Sequence, residues 1–342
     1  MCVRVIQGNG IDLSLFQFDY DLTFAAFLMN ADRTIYGRYG TRSREENPGH
    51  DISLQGFMAS LEAALKIHGN YPEGKESLLL KSGRKSRYRT PERYPSLRKF
   101  SPGIDYAGQV ARSCIHCHQI PTAEHQIHRS SGKPFPEKAL FAWPTPGIIG
   151  LELRLDHCAT VKNVQPASPA HRAGFKTGDE IITLAGQPML STADIQWVLH
   201  NAGKEPRLRA VVRRGDKNLS LTLVLPEGWR HKEDISWRGS SWDLRRVVLG
   251  GMRLKLLPEA RQKGLTGMAL HVAHLGQHGE HGAAYRSGIR KGDILLSFDG
   301  RDDLLSESSV LAHGLQERKS GERVTVKILR GKRRLEFKLP MK

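Results

Sequence analysis

Cys114-Ile115-His116-Cys117-His118 brings two thiols and an imidazole into one short string. Thiols at C-x-x-C spacing can add across the two vinyl groups of one haem, and an imidazole immediately after them can then ligate the iron. The same pair could hold zinc, cycle as a dithiol, or do nothing special. Downstream, His125 and His128 allow the reading C-x2-C-x7-H-x2-H. That His pair is tighter than the x3–5 spacing usual in zinc sites of the two-Cys, two-His kind. A dithiol would want a strand–turn–helix frame ahead of the first Cys, whereas Tyr106 to Arg112 reads as a short helix running into Cys114. A c-type haem on Cys114, Cys117 and His118 is therefore the leading expectation, with zinc as the alternative cofactor. His125, His128 and Met189 are the candidate distal ligands to the iron, and a His or a Met there would set different potentials.

The elements that would position this string are short. From Phe100 to Pro146 the chain is interrupted by prolines at 102, 121, 134, 136, 144 and 146, so neighbouring domains would have to cover a haem. A short helix delivering C-x-x-C-H resembles the opening of many class I c-type cytochromes, which implies electron transfer. Covalent haem attachment requires export, so the expected location is the periplasm or another exported compartment. Met1 begins no basic stretch followed by an apolar run. Met1-Cys2-Val3-Arg4-Val5-Ile6 reads like the inside of a domain, and the expectation is that a signal sequence is missing from this chain.

The length of 342 residues suggests two to four compact units. The formal charge of +17 is clustered. Residues 81–99 hold eight Lys/Arg and one Glu, and residues 318–342 hold ten and two. No nucleic-acid motif accompanies these clusters, which read as a solvated linker and a protected edge strand; no nucleic-acid partner is expected. No apolar run approaches the ~18 residues of a bilayer span, and four Cys give no disulfide framework.

Residues 1–80 read as most of a small α/β segment. Strands are expected over Leu13 to Phe18, Phe24 to Met29 and Thr34 to Tyr39. A helix is expected from Asp51 to His68, capped by Asp51 or Ser53, with Leu54, Phe57, Leu61, Ala64 and Leu65 on its buried face. Strand, hairpin and helix resemble the C-terminal half of a thioredoxin-like fold. The resemblance places Cys2 near the reactive cysteine of that fold, where a helix N-terminus lowers thiol pKa. Asp21-Leu22-Thr23 departs from the cis-Pro-Thr of thioredoxins, which puts thioredoxin-type substrate binding in doubt.

Residues 147–226 and 250–342 form an internal repeat. Arg172-Ala173-Gly174-Phe175-Lys176-Thr177-Gly178-Asp179-Glu180-Ile181-Ile182 with Gly186 is echoed by Arg286-Ser287-Gly288-Ile289-Arg290-Lys291-Gly292-Asp293-Ile294-Leu295-Leu296 with Gly300. Each copy continues into a helix (192–201; 307–317) and a terminal hairpin with Gly215 or Gly331 in the turn. The run A-G-x-x-x-G-D-x-I-x-x-x-x-G resembles the permuted PDZ domain that follows the protease domain of periplasmic trypsin-like heat-shock proteases. That resemblance implies capture of a peptide C-terminus or extended segment as an added strand, with loop amides holding its carboxylate. The loop would be Gly147-Ile148-Ile149-Gly150-Leu151 in the first copy and Gly250-Gly251-Met252-Arg253-Leu254 in the second. Either groove could instead be filled internally and serve only packing. No G-x-S-x-G string occurs, so the chain is not expected to be a serine protease of that kind. Between the copies, Trp229, Trp237 and Trp242 read as a wedge, and His271, His274, His278 and His281 as a solvated loop.

The order of parts is similar to a bacterial family of thioredoxin-like/PDZ (seleno)proteins, most closely in Asp12-Leu13-Ser14-Leu15-Phe16-Gln17-Phe18-Asp19-Tyr20-Asp21 and Trp242-Asp243-Leu244-Arg245-Arg246. In that family Cys or selenocysteine holds the place of Cys2, which implies redox chemistry there. The expected architecture is an α+β multidomain chain: a truncated thioredoxin-like segment (1–80), a basic C-x-x-C-H linker (81–146), PDZ copy 1 (147–226), a Trp-rich linker (227–249) and PDZ copy 2 (250–342), the copies being β-sandwich or barrel domains. The expected function is an exported, haem-linked redox protein that recruits polypeptides. Its rivals are a non-enzymatic PDZ scaffold and a thiol or selenol oxidoreductase centred on Cys2.

Overall fold

The computed structural model describes residues 1–42, 51–257 and 264–342. The chain divides into two compact units, residues 1–120 with 141–233, and residues 121–140 with 234–342.

In the first unit, β1 (Ala26–Met29) and β2 (Ile35–Tyr39) pair antiparallel. Their turn is closed by Asp32, whose carboxylate accepts the Thr34 N–H at 3.0 Å. Leu13 to Phe18 is not a strand but a run of turns. Asp12 causes this: its carboxylate accepts the Ser14 N–H at 2.9 Å and its carbonyl accepts those of Leu15 and Phe16. One hairpin and one helix are thus the regular structure described in residues 1–70, with no third strand to build a thioredoxin-like sheet.

Ser53 caps that helix, α1 (Leu54–Gly69), accepting the Gly56 N–H at 3.0 Å. The expected buried face is rotated. Gly56, Ser60 and Ala64 are buried, while Leu54, Leu61 and Leu65 are exposed. Backbone contact decides this over hydrophobicity. A Cβ at Gly56 would lie 2.0 Å from the Leu155 carbonyl, and Ser60 Oγ lies 3.0 Å from that of Leu190.

The first repeat copy follows. β3 (Leu151–Leu153) pairs antiparallel with β4 (Val161–Val164), and β5 (Glu180–Leu184), β6 (Gln187–Pro188), β7 (Arg207–Arg214) and β8 (Lys217–Val224) form a sheet of order β6-β5-β7-β8. Helix α2 (Thr192–Asn201) is capped by Ser191 and buries Ile195, Val198 and Leu199 in the core. Each such side chain contributes on the order of 1.5–3 kcal/mol. The repeated Gly-Asp is structural. Asp179 accepts from Lys176 N and from Arg214 Nε at 2.7 Å, and Asp293 repeats this with Arg290 N and Arg330 Nε at 2.7 Å.

The second unit holds α3 (Ser241–Val248), β9 (Met252–Leu256), β10 (Leu270–Leu275), β11 (Ile294–Phe298), α4 (Glu307–Glu317), β12 (Arg323–Arg330) and β13 (Arg333–Pro340). Its sheet order is β13-β12-β11-β10-β9. A capping box between Ser306 and Ser309 opens α4. Residues 121–140 join this unit: Phe135 N–H donates to Leu315 O, and Arg129 to the carbonyls of Arg318 and Lys342.

His271 and His274 lie on β10 rather than in a loop, while His278 precedes and His281 lies within the short 3-10 turn Gly279–Gly282 that follows. Trp229 is buried in the core of copy 1. In the second unit Trp237 is buried and Trp242 half-exposed, edge-on to His274.

Candidate peptide-binding site

Alternation along β3 fixes which main-chain groups are free. Gly150 O accepts Gln165 N–H at 2.9 Å, and Arg154 N–H donates to Thr160 O at 2.8 Å. Residues 150, 152 and 154 therefore face β4, and the N–H and C=O groups of Leu151 and Leu153 face the other way. No strand covers that edge among the described residues. In a PDZ fold this edge of β3 and the neighbouring helix α2, whose residues 193–199 are buried here, are the walls between which a peptide would add. Gly150 turns the loop at φ 84°, with Ser168 so close that a Cβ would lie 2.1 Å from it. Ile148 and Ala202, half-buried against the core, line the loop end with apolar surface. Gly147 and Ile149 complete the short turn before β3, in which Gly150 N–H bonds back to Gly147 O.

The far end is held rigidly. Lys81 Nζ lies 2.7 Å from Asp194 Oδ1 with both side chains fully buried. Asp194 also accepts from Arg38 N and Leu190 N, and the Arg38 guanidinium lies 3.9 Å over the Trp197 ring. Burial pulls the Lys81 ammonium below its ordinary pKa, and Asp194 opposes that pull. The first turn of α2 is thus bolted to β2.

Copy 2 has the same frame and a different occupant. Gly276 N–H donates to Gly251 O as Gln165 does to Gly150 O, so Leu254 corresponds to Leu153. Here Leu254 N–H donates to Glu307 Oε2 at 2.5 Å. Glu307 opens α4, the place of Thr192 in α2. Arg245 of α3 holds its carboxylate through Nε and Nη2 at 2.8 and 2.6 Å, the pair being buried. Burial pushes the Glu307 carboxyl up, against Arg245, which lowers it. Gly251 N–H donates to Arg245 O, as Gly150 N–H does to Gly147 O in copy 1, and Met252 N–H donates to Leu249 O. Gly250 bends the loop at φ 57° against Ala284. The outward N–H groups of Met252 and Leu254 in copy 2 are thus satisfied from within.

The C-x-x-C-H string lies elsewhere in the first unit. Cys114 and Cys117 are half-buried free thiols, and His118 is exposed and stacked on His116 at 5.7 Å. Burial raises the Cys117 thiol pKa, the reverse of what a reactive dithiol needs. Among the described residues no three His, Cys, Asp or Glu side chains are grouped to hold a metal ion. His125 packs on Phe135 and His128 lies 3.6 Å from Glu124, while Met189 is buried in the copy 1 core. Cys2 is exposed in a stretch without regular structure.

Comparison with known proteins locates the first groove in a family. The PDZ domain model matches residues 147–225, and this part of the chain is a PDZ domain. HhoA of Synechocystis sp., a serine protease by name, is 40% identical over 63 residues, 18% of this chain and 16% of that protein. The serine protease HTRA1B of Danio rerio is 38% identical over 69 residues, 20% and 14% of the two chains. A DegP-like periplasmic serine endoprotease of Marinomonas sp. is 25% identical over 176 residues, 50% and 34%. The chain spans between about a seventh and a third of the length of these relatives. Among solved structures, an HtrA3 PDZ domain bound to a phage-derived ligand shares 22% identity at a TM-score of 0.22, covering 27% of this chain and 82% of that one. A serine endoprotease from Yersinia pestis shares 21% at 0.21, covering 23% and 28%. Likenesses that weak carry no argument.

Two expectations are corrected by these relatives. The haem-linked redox function and electron transfer give way to an HtrA/DegP setting, because these relatives are serine proteases by name. The exclusion of a serine protease falls too. It rested on one absent string, and stretches aligned to a third or less of a protease cannot exclude what that string stands for. The sequence reading missed Leu153, Glu307 and Arg245. The repeat itself held a signal for Glu307 alone, since an ionisable Glu opens one helix where Thr192 opens the other.

Proposed function

We propose that the PDZ domain at residues 147–225 captures free C-termini of polypeptides for an HtrA-type serine protease activity in an exported protein. The observation that carries the reading is the open edge of β3, where Leu151 and Leu153 present their main-chain groups toward α2 with no strand beside them. A peptide running antiparallel to β3 would bring its terminal carboxylate to the turn at Gly150 and its last side chain to the apolar surface of Ile148 and Ala202. The periplasmic naming of DegP-like relatives supports export, and no helix among the described residues is long and apolar enough to cross a membrane.

Fluorescence polarisation with a labelled peptide ending in Val, as free acid and as C-terminal amide, tests this. The free acid is expected to bind at least about tenfold more tightly, a difference of about 1.4 kcal/mol. Equal affinity, or binding of neither, would refute it.

A further inference from the structure

We infer that the groove of copy 1 admits only the last few residues of a polypeptide, because helix α1 closes its upstream end. The inference rests on the peptide-binding reading above and specifies its substrate class: short, accessible C-terminal tails rather than long extended segments.

Two residues past the end of β3, the Leu155 carbonyl is the next acceptor a longer added strand would reach after Leu151 and Leu153. A bound strand would donate an N–H to it. That position is taken. Ser53 Oγ, at the cap of α1, donates to Leu155 O at 2.6 Å. Gly56, one turn on, lies so close that a Cβ would come within 2.0 Å of the same oxygen. The helix then crosses to the opposite wall. Cys158 Sγ lies 3.5 Å from Ala59 O, and Ser60 Oγ lies 3.0 Å from Leu190 O, just before α2 begins. On that side β2 completes the fence, for a Cβ at Gly37 would lie 2.8 Å from Leu190 Cδ2, and Ser191 Oγ donates to Arg38 O at 2.5 Å. From Leu151 to Leu155 the chain, strand to Leu153 and bend beyond it, advances at most about 13 Å, room for about four residues of an added strand. The small side chains at 56 and 60 bring the helix close enough to replace the fifth. The last four residues of the peptide therefore set affinity, and anything upstream must turn away from the groove.

The test is a length series of peptides sharing one C-terminal sequence, with three, four, six and eight residues, measured by competition in the polarisation assay on the full chain. In the unaltered protein affinity should rise from three to four residues and then stay level within about twofold. Gly56→Ala should push α1 off Leu155, and the eight-residue peptide should then gain at least about fivefold over the four-residue one. Ser53→Ala, which frees Leu155 O without steric displacement, should give a smaller gain in the same direction and serves if Gly56→Ala does not fold. A steady gain of about tenfold from four to eight residues in the unaltered protein would overturn the inference while leaving peptide binding intact. So would a flat series in a folded Gly56→Ala. No binding at any length would overturn both.

Discussion

At the scale of single residues, the string that looks most chemical is not the one the relatives point to. Cys114, Cys117 and His118 have the spacing of a haem or metal site, but spacing along the chain says nothing about burial. Cys117 is pressed into the protein, which raises its thiol pKa. Alkylation by iodoacetamide should therefore proceed more slowly at Cys117 than at exposed Cys2 at pH 8, with its midpoint above the ordinary thiol value. Peptide mass mapping reads both rates, and a Cys117 faster than Cys2 would contradict this environment. The folded thiol holds its proton more tightly than a free one. Its contribution to stability is complete below the ordinary thiol pKa and is lost as pH rises through the folded value. By contrast, the loops holding Gly150 and Gly251 were legible in the sequence. Their glycines read as room for a peptide, whereas φ values of 84° and 89° and the closeness of Ser168 and the His281 carbonyl require glycine for the turn itself.

At the scale of elements, each unit contains a buried ion pair beside its groove, Lys81–Asp194 in one and Arg245–Glu307 in the other. Breaking a buried pair leaves a charge without its partner and costs about 3–5 kcal/mol. Asp194→Asn and Glu307→Gln should each lower stability by an amount in that range in urea denaturation. Adding Lys81→Met to Asp194→Asn, which removes the stranded ammonium while an amide oxygen still faces the Arg38 and Leu190 N–H groups, should recover much of the loss. A change below about 1 kcal/mol for either single substitution would show that the pair does not hold its element. Neither pair could be read from the sequence, because the partners lie 113 and 62 positions apart and no periodicity connects them. Helix α1 was legible as a helix, with Ser53 among its candidate caps, but not in its facing. An apolar stripe is a sound guide where side chains do the packing. Here backbone oxygens of Leu155 and Leu190 do it, and they select Gly56, Ser60 and Ala64.

At the scale of the whole molecule, the repeat was the most legible feature. A glycine-aspartate run recurring at an offset of 114 residues fixes two copies of one domain, and both copies fold with the same loop, strand and helix. What the repeat hides is that the copies diverge at the strand edge beside the helix. One leaves its strand edge open, while the other fills it with Glu307, held by Arg245. The segmentation read from composition also missed how the chain is shared out, since residues 1–120 pack with copy 1 and residues 121–140 with copy 2. The central claim is that strand addition occurs at β3 and not at β9. Amide chemical shifts followed by NMR during titration with a Val-terminated peptide test it most directly. Large shifts of the Leu151 and Leu153 amides, with Met252 and Leu254 unmoved, are the predicted result. Shifts confined to Met252 and Leu254, or none on either strand at saturating peptide, would contradict it.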